Sequence, residues 1–287
     1  MNTRFLLLVA FMTLIATASQ SQILQKSRSL DGEYGITIGS AHYFGDLNTE
    51  AAINRPKPAL GAFFRKQFGN YIGLRLTAHY AQLGYSDVYS ENEYQKARNL
   101  SFNSDIWELA VHGDFNFFKF VPGDPEHGFT PYVTLGVGMF TYDPYAYYKG
   151  KKEYLRPLGT EGQNAGIGRK EYGTMALCIP FGVGIKYSIN NRANISFEIG
   201  HRFTTTDYLD DVSTTFVSPS LFPADAGGTP PSSYYLFDRS YEVLGMSNRL
   251  SNVVGRQRGW NKQKDQYVIA EVGISFNLST YRCPTAL

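Results

Sequence analysis

Apolar residues alternate with small or charged residues along two adjoining segments in the middle of the chain, residues 173–206. In the first segment every second residue from 175 to 187 is apolar, and glycine, lysine or another small residue stands between. After Asn190-Asn191, a pair that tolerates positive φ, the apolar positions run from 195 to 203. A period of two predicts two β-strands, each with one apolar face. The segment is therefore a predicted β-hairpin.

The same period recurs along the rest of the chain. The predicted strands are residues 33–44, 58–68, 71–85, 102–120 and 130–142, the two arms of the hairpin, and residues 266–278. Each is long enough for a tilted membrane-spanning strand, for which about 9–11 residues suffice. The pattern thus predicts eight strands, an even number as in outer-membrane barrels.

The connections between these strands alternate in length. Tight turns follow the second, fourth and sixth strands, whereas long loops follow the others, including the loop at residues 206–265. Alternating strands fit either a soluble sandwich, whose apolar faces pack together, or a transmembrane barrel, whose apolar face meets lipid. Sorting of short turns to one end and long loops to the other is typical of outer-membrane barrels with both termini in the periplasm. We therefore predict an all-β fold: an eight-stranded antiparallel transmembrane β-barrel with long extracellular loops and short periplasmic turns.

The N-terminus has the features of an export signal. Residues 1–4 carry a positive charge, residues 5–15 are an apolar run, and Ala16-Thr17-Ala18 resembles a signal-peptidase site. An uncleaved anchor is the alternative, but the run is shorter than the roughly 20 residues that span a bilayer. The sequence predicts a signal peptide over residues 1–22, cleaved between about 18 and 22, and a barrel over residues 23–287. Such a chain is expected in the outer membrane of a Gram-negative bacterium.

Composition narrows the classes of function. The chain holds 21 Tyr, 20 Phe and 28 Gly with only 18% charged residues, which fits closed antiparallel sheets. A net charge of +2 is too small to indicate nucleic acid as a partner. The two cysteines, Cys178 and Cys283, are too few for a disulfide framework, and Cys178 is expected to be a small packing residue.

Charged residues lie on the predicted inward face of the barrel. Four cations and four carboxylates alternate with the apolar rows: Arg65, Arg75, Lys186, Arg202, Glu108, Asp114, Glu198 and Glu271. An eight-stranded barrel is only wide enough for its own side chains, so these charges are expected to pair with one another and plug the interior. A proton or ion relay through the same residues is the alternative interpretation.

The sequence offers little for catalysis. Its five histidines show no HExxH spacing, and no Gly-x-Ser-x-Gly elbow occurs. We therefore expect neither an enzyme nor a cofactor. Four acidic residues in the long loops have two interpretations. They could be ligands of a calcium ion, or they could cap Asx and ST turns. These residues are Glu161, Asp207, Asp210 and Asp211.

Several segments resemble a known family. They are residues 43–48 (YFGDLN), 58–61 (PALG), Glu108 with 115–118 (FNFF), 130–132 (TPY), 157–163 (PLGTEGQ), 179–187 (IPFGVGIKY), 206–214 (TDYLDDVST), and Arg258-Gly259 with Asp265 and Tyr267. In these segments the chain is similar to the PorG-like outer-membrane barrels of Bacteroidetes, components of the type IX protein secretion system. The loop segments 157–163 and 206–214 are the specific ones, since glycine-rich strands alone match many barrels.

The resemblance implies a non-enzymatic role in protein transport. PorG-like barrels are associated with a periplasmic ring formed by the PorK lipoprotein and PorN, and they help tie that ring to the outer membrane. Partner contacts would then lie on the chain termini and on turn residues: Gly69, Asn70, Pro122, Asp124, Asn190 and Asn191. Two other functions stay open. One is a stand-alone barrel that binds a ligand or surface through its extracellular loops, and the other is a passive channel, although a closed barrel of this size should conduct little.

Overall fold

The computed structural model describes residues 32–278, so the predicted signal peptide and the C-terminal tail lie outside the described residues. Within this range the chain forms ten strands, numbered here in chain order. They are β1 (Gly32–Phe44), β2 (Lys57–Phe68), β3 (Ile72–Ser86), β4 (Ser101–Asn116), β5 (Phe129–Thr141), β6 (Tyr145–Tyr148), β7 (Lys151–Tyr154), β8 (Met175–Ser188), β9 (Ala193–Thr204) and β10 (Gln266–Leu278).

Eight of these strands close into a barrel. Each pairs antiparallel with its neighbours in the order β3-β2-β1-β10-β9-β8-β5-β4, and pairing of β3 with β4 closes the ring. The short hairpin β6–β7 stands outside the ring. Its strand pairing with the ring joins Asn103 to Tyr145, and Lys152 of β7 also lies 3.8 Å from Asp105 of β4. The predicted eight-stranded antiparallel barrel is confirmed, and a two-sheet sandwich is excluded. Within residues 32–278, no helix has the length and apolar character needed to cross a membrane.

The alternation of residues separates the two faces of every barrel strand. The outward rows are apolar and exposed, as at Ile36 (68% exposed), while the inward rows are buried. In the central hairpin, Ile179 and Ile199 point outward and Lys186 and Arg202 point inward. A continuous apolar belt around a closed barrel is the surface that lipid requires.

Strand bounds agree with the sequence pattern except at one end of β4. The strand ends at Asn116 rather than at residue 120, because the Phe118 amide donates to the side-chain oxygen of Thr130 (3.1 Å) instead of to a strand partner. The hairpin β6–β7 and four short helices had no sequence prediction, since each covers only four to six residues. The helices are Glu93–Arg98, Leu155–Leu158, Ser232–Leu236 and Tyr241–Leu244.

The two ends of the barrel differ. The turn end carries the turns at residues 69–71, 117–128 and 189–192. The loop end carries the loops at residues 45–56, 87–100, 142–174 and 205–265. Tyr43, Phe102, Phe140 and Tyr267 belong to a buried apolar cluster at the loop end. A second cluster lies within the longest loop around Phe237. The loops therefore fold over the barrel as a cap with a core of its own.

Candidate functional site

A chain of ion pairs fills the half of the barrel interior that is nearer the turn end. The Arg65 guanidinium lies 3.0 Å from Glu33 and 2.6 Å from Asp114. Arg75 lies 3.2 Å from the same Asp114 and 2.8 Å from Glu198. Since burying an unpaired charge is costly, the shared Asp114 and one further carboxylate for each arginine are what let the two arginines occupy the interior.

A second set of pairs lies nearer the loop end. His79 bridges two carboxylates, with one ring nitrogen 3.2 Å from Glu108 and the other 3.2 Å from Glu271. Arg202 lies 3.3 Å from Glu108, whose Oε2 also accepts a 2.6 Å hydrogen bond from Tyr267. These side chains form a layer across the barrel, between the Arg65 and Arg75 ion pairs and the loop end.

The structure places all eight predicted interior charges inside the barrel, and all are buried. Six of them pair with one another, and Lys186 and Glu271 do not. The Lys186 amine lies 4.0 Å from Glu33 and 4.3 Å from the centre of the Phe120 ring, and Glu271 pairs with His79. The sequence interpretation did not include Glu33 or His79 among the interior charges. Both lie on the inward rows of their strands, so strict alternation identifies them.

A buried ion cluster around Arg258 lies inside the cap. Its Nη1 lies 3.0 Å from Glu161 Oε1, and its Nη2 lies 3.5 Å from Asp211 Oδ2. Its Nε donates to the Phe237 carbonyl (3.1 Å). Asp211 also accepts hydrogen bonds from Tyr172 (2.7 Å) and from the Thr160 hydroxyl.

Glu161 joins the two specific loop segments to each other. Its carboxylate accepts hydrogen bonds from the backbone amides of Ser213 and Thr214, both at 3.0 Å, and from the Thr214 hydroxyl at 2.6 Å. Segment 157–163 is thereby fixed against segment 206–214, with Arg258 between them. The residues that carry the family resemblance in the loops thus meet in one buried cluster.

A third loop segment of the resemblance joins the cap through Tyr43. The Tyr43 hydroxyl donates a hydrogen bond to Asp210 (2.5 Å) and lies 3.1 Å from Asp265. Asp265 also accepts a hydrogen bond from the Leu209 amide (2.9 Å). A Cβ on Gly45 would lie 2.0 Å from Asp265 Oδ1 and 2.1 Å from the Tyr43 hydroxyl. Only glycine therefore fits beside this pair.

The four acidic loop residues are engaged by the protein's own donors. Glu161 and Asp211 surround Arg258, Asp207 accepts from the Ser213 hydroxyl (2.6 Å), and Asp210 accepts from the Val212 amide two residues on (2.9 Å). This last contact is an Asx turn. Within residues 32–278, no group of three His, Cys, Asp or Glu side chains has an arrangement that holds a metal ion.

Burial changes the acidity of the cap. It raises the pKa of Asp207 to about 6 and the pKa of Asp211 to about 6, although Arg258 opposes the second shift. Burial also raises the pKa of Asp46 to about 6, while the Trp260 amide, which donates to its Oδ2 (2.8 Å), opposes the rise. Burial, followed by the charge of Asp265, raises the pKa of Asp210 well above its ordinary value. In each of these groups burial penalises the ionised form, because the cap excludes water.

An open cleft of about 740 Å³ lies at the side of the cap. One wall comes from residues 45–51 and the helix Glu93–Arg98, and another from residues 257–263. Its base is formed by residues of outward strand rows, including His201, whose ring nitrogen hydrogen-bonds Gln266 (2.6 Å). A neighbouring cleft of about 470 Å³ shares Trp260 with the first.

The predicted partner-facing residues all lie at the turn end. Gly69 has a left-handed φ of 73°, and the side chain of Asn190 accepts from the amide of Arg192 (2.8 Å). Asp124 accepts from the Glu126 amide (2.9 Å). Asn70, Pro122 and Asn191 lie in the same turns. These turns are held by hydrogen bonds, some local and some to other strands, such as the one from the Gly123 amide to the Ser188 hydroxyl (3.0 Å), whereas the cap is held by buried ion pairs.

Comparison with known proteins gives a family for this architecture. A family model described as "Domain of unknown function (DUF6089)" matches residues 4–216. The chain belongs to this family. The match includes seven barrel strands and the loop segments 157–163 and 206–214, but it ends before Arg258 and β10. No curated protein matches this DUF6089 chain.

Solved structures that are similar to the DUF6089 chain are bacterial barrels and surface proteins of low sequence identity. The N-terminal β-barrel domain of Pseudomonas aeruginosa OprF is 10% identical, with a TM-score of 0.36 over 88% of this chain and 100% of that one. Neisserial surface protein A is 6% identical, with a TM-score of 0.42 over 86% and 97%. Ail, the attachment invasion locus protein of Yersinia pestis, is 11% identical, with a TM-score of 0.38 over 86% and 99%.

Proposed function

We propose that this DUF6089 protein is a non-enzymatic barrel of the outer membrane that serves type IX protein secretion by tying the periplasmic ring to the membrane. The turn end would face the periplasm and the loop end the cell exterior. Support for the secretion role comes from the resemblance to PorG-like barrels in segments 157–163 and 206–214. The Glu161 contacts add that these two segments act as one structural unit.

The observation that carries the structural role is the filled interior. Arg65, Arg75, His79 and Arg202 extend into the barrel interior and are paired with carboxylates on non-adjacent strands. A barrel of eight strands has room for its side chains and little else. The surfaces left for function are the lipid-facing belt, the turn end and the cap.

Affinity purification tests the secretion role. The tagged barrel, extracted in mild detergent, is expected to carry PorK and PorN with it. Charge reversals at exposed turn-end residues, Glu126→Arg and Arg192→Glu, should reduce recovery of the ring proteins, because these side chains would face them. Lys262→Glu, an exposed charge reversal in the longest loop, is the matched control and should leave recovery unchanged.

The outcomes separate the possibilities. Absence of ring proteins from purifications of the unmodified barrel would rule out the secretion role. Loss of recovery on Lys262→Glu, with retention on both turn-end variants, would assign partner contact to the cap and contradict the proposed orientation of the barrel.

A further inference from the structure

We propose that the two clefts beside Trp260 form a binding site for an uncharged saccharide chain. The site gives the ligand-binding alternative, left open by the sequence, a specific location. It does not depend on the secretion role, since it lies at the end of the barrel opposite to the turns.

The chemistry of the free side chains points to a polyhydroxyl ligand. Gln257, Asn261 and Gln263 are exposed around Trp260, and their side chains make no hydrogen bond within residues 32–278. Each amide carries both a donor and an acceptor, as does each hydroxyl of a sugar. A set of free amides therefore suits a saccharide better than it suits an ion, which would need donors alone or acceptors alone.

The charges that line the larger cleft are already committed. Arg98 forms two 2.7 Å contacts with Asp87 and also donates to the Asp46 carbonyl (2.9 Å). Asp46 accepts the Trp260 amide through Oδ2 (2.8 Å). Among the described residues that line this cleft, Arg98 is the only lysine or arginine, and its pairing leaves no free guanidinium or amine there for a phosphate or carboxylate ligand. This is why we infer an uncharged chain.

Trp260 supplies the apolar part of the site. Its side chain is 51% exposed and lines both clefts, together with Gln257 and Gly259. A sugar ring has an apolar C–H face, and a rigid indole gives a large contact area at little entropic cost. Since Trp260 borders both clefts, successive sugar units of one chain can contact it from two sides.

The walls of the site are fixed before any ligand arrives. The Tyr94 hydroxyl donates to the Gln257 carbonyl (2.5 Å), and Arg98 donates to the Arg258 carbonyl. These contacts join the helix Glu93–Arg98 to the segment that carries Trp260. A Cβ on Gly259 would lie 2.6 Å from the Ser213 amide nitrogen, so close backbone packing also holds this segment. A preformed cleft of this size is typical of ligand sites.

The position of the larger cleft favours a sugar that belongs to a membrane glycolipid. Phe44, His201 and Val268 line its base, and all three lie on outward strand rows. The cleft therefore begins where the apolar belt ends, at the depth of lipid headgroups. A saccharide headgroup of the surrounding leaflet would reach Trp260 without leaving the membrane surface.

Tryptophan fluorescence tests the proposal directly, because the chain has only two tryptophans. Trp107→Phe leaves Trp260 as the sole reporter. Nanodiscs that contain a neutral glycolipid (digalactosyldiacylglycerol), or a neutral galactan as the free polysaccharide, are expected to shift the Trp260 emission. In the reverse variant, Trp260→Phe, the remaining Trp107 lies on the lipid-facing surface of β4 and should not respond to the free polysaccharide.

Calorimetry with the free polysaccharide measures the affinity of a second set of variants. Trp260→Ala should weaken binding by about tenfold or more, as truncation of an aromatic anchor does. Val254→Ala, an exposed residue of the same loop that lines neither cleft, is the matched control and should bind normally. Electrophoretic heat-modifiability of each variant checks that the barrel is folded.

Each outcome decides the proposal. A shift with the free polysaccharide supports a saccharide site open to soluble chains, and a shift only with nanodiscs supports a glycolipid headgroup as the source. No shift with either probe would overturn it. Binding that survives Trp260→Ala at full affinity would also overturn it, since the ligand would then lie elsewhere.

Discussion

Arg258 shows how much of the cap depends on the shape of one side chain. Its three guanidinium nitrogens reach Glu161, Asp211 and the Phe237 carbonyl, which come from separate segments of the loops. A planar fork with five donors can serve several acceptors, whereas the amine of lysine is a compact point charge. Glu161 and Asp211 are both fully buried, so they have no water to replace a lost partner.

Replacing Arg258 should therefore open the cap without unfolding the barrel. Arg258→Met is expected to cost about 3–5 kcal/mol in the free energy of cap opening, because it leaves buried carboxylates unpaired. Limited proteolysis of the outer loops would measure this, and Arg258→Lys should recover part of the resistance. Arg256→Met, an exposed neighbour, is the control. Equal resistance of Arg258→Met and the unmodified protein would contradict the assigned role.

The two faces of each barrel strand meet different surroundings, lipid outside and ion pairs inside. On β9, Ile199 faces outward between Val183 on β8 and Ala270 on β10, and its neighbour Glu198 faces inward to Arg75. Adjacent positions on one strand therefore need opposite side chains, an apolar one toward lipid and a charged one toward the interior. A shift in register by one residue would place Glu198 in lipid and Ile199 among ion pairs.

A cation on the outward row should reveal the lipid contact. Ile199→Arg is expected to lower the free energy of unfolding in lipid vesicles by about 2–4 kcal/mol, the cost of an arginine near the bilayer midplane. Ile53→Arg places the same residue on an exposed loop position and should have little effect. Urea unfolding followed by tryptophan fluorescence measures both. Similar values for the two variants would show that Ile199 does not face the hydrocarbon.

The whole molecule divides into a barrel filled with ion pairs and a cap of loops packed over it. Within residues 32–278 neither part leaves a wide path along the barrel axis, because Arg65, Arg75 and Arg202 are fully or almost fully buried by their neighbours. We expect purified protein in planar bilayers to show little or no conductance at low voltage. Steady open-channel currents, absent from a mock purification, would mean that the interior rearranges.

The cap should also loosen as the pH rises. Burial raises the pKa of Asp46, Asp207 and Asp211 to about 6. In an open cap these groups return toward about 3.9. The closed cap binds more protons between these values, so its stabilisation is complete below about pH 4 and is lost as the pH rises through about 6.

Hydrogen exchange measures this effect. Amides of residues 205–265 should be better protected at about pH 5 than at about pH 7.5, after correction for the intrinsic rate of exchange. Asp207→Asn removes one of the titrating groups and should flatten the dependence. Protection that increases toward high pH would contradict the sign.

The sequence was sufficient for the barrel and insufficient for the cap, for a physical reason. A period of two fixes which face each strand residue occupies, so Arg75, Glu108 and Glu271 were identifiable as interior residues before any contact was known. The loops have no such period. Arg258 meets Glu161 across 97 residues and the Asp211 carbonyl across 47, and nothing local in the chain specifies either contact.

The pairing of Gly32 with Leu278 has a consequence for assembly. The first and last described strands are neighbours, so in a barrel whose strands enter the bilayer in chain order the ring closes only when β10 enters. Until then β1 and β9 would each present an unsatisfied edge to hydrocarbon, where unpaired amides are costly. The loop that delivers Arg258 immediately precedes β10 in the chain. Sealing of the ring and docking of the cap are therefore late events that depend on the same final segment.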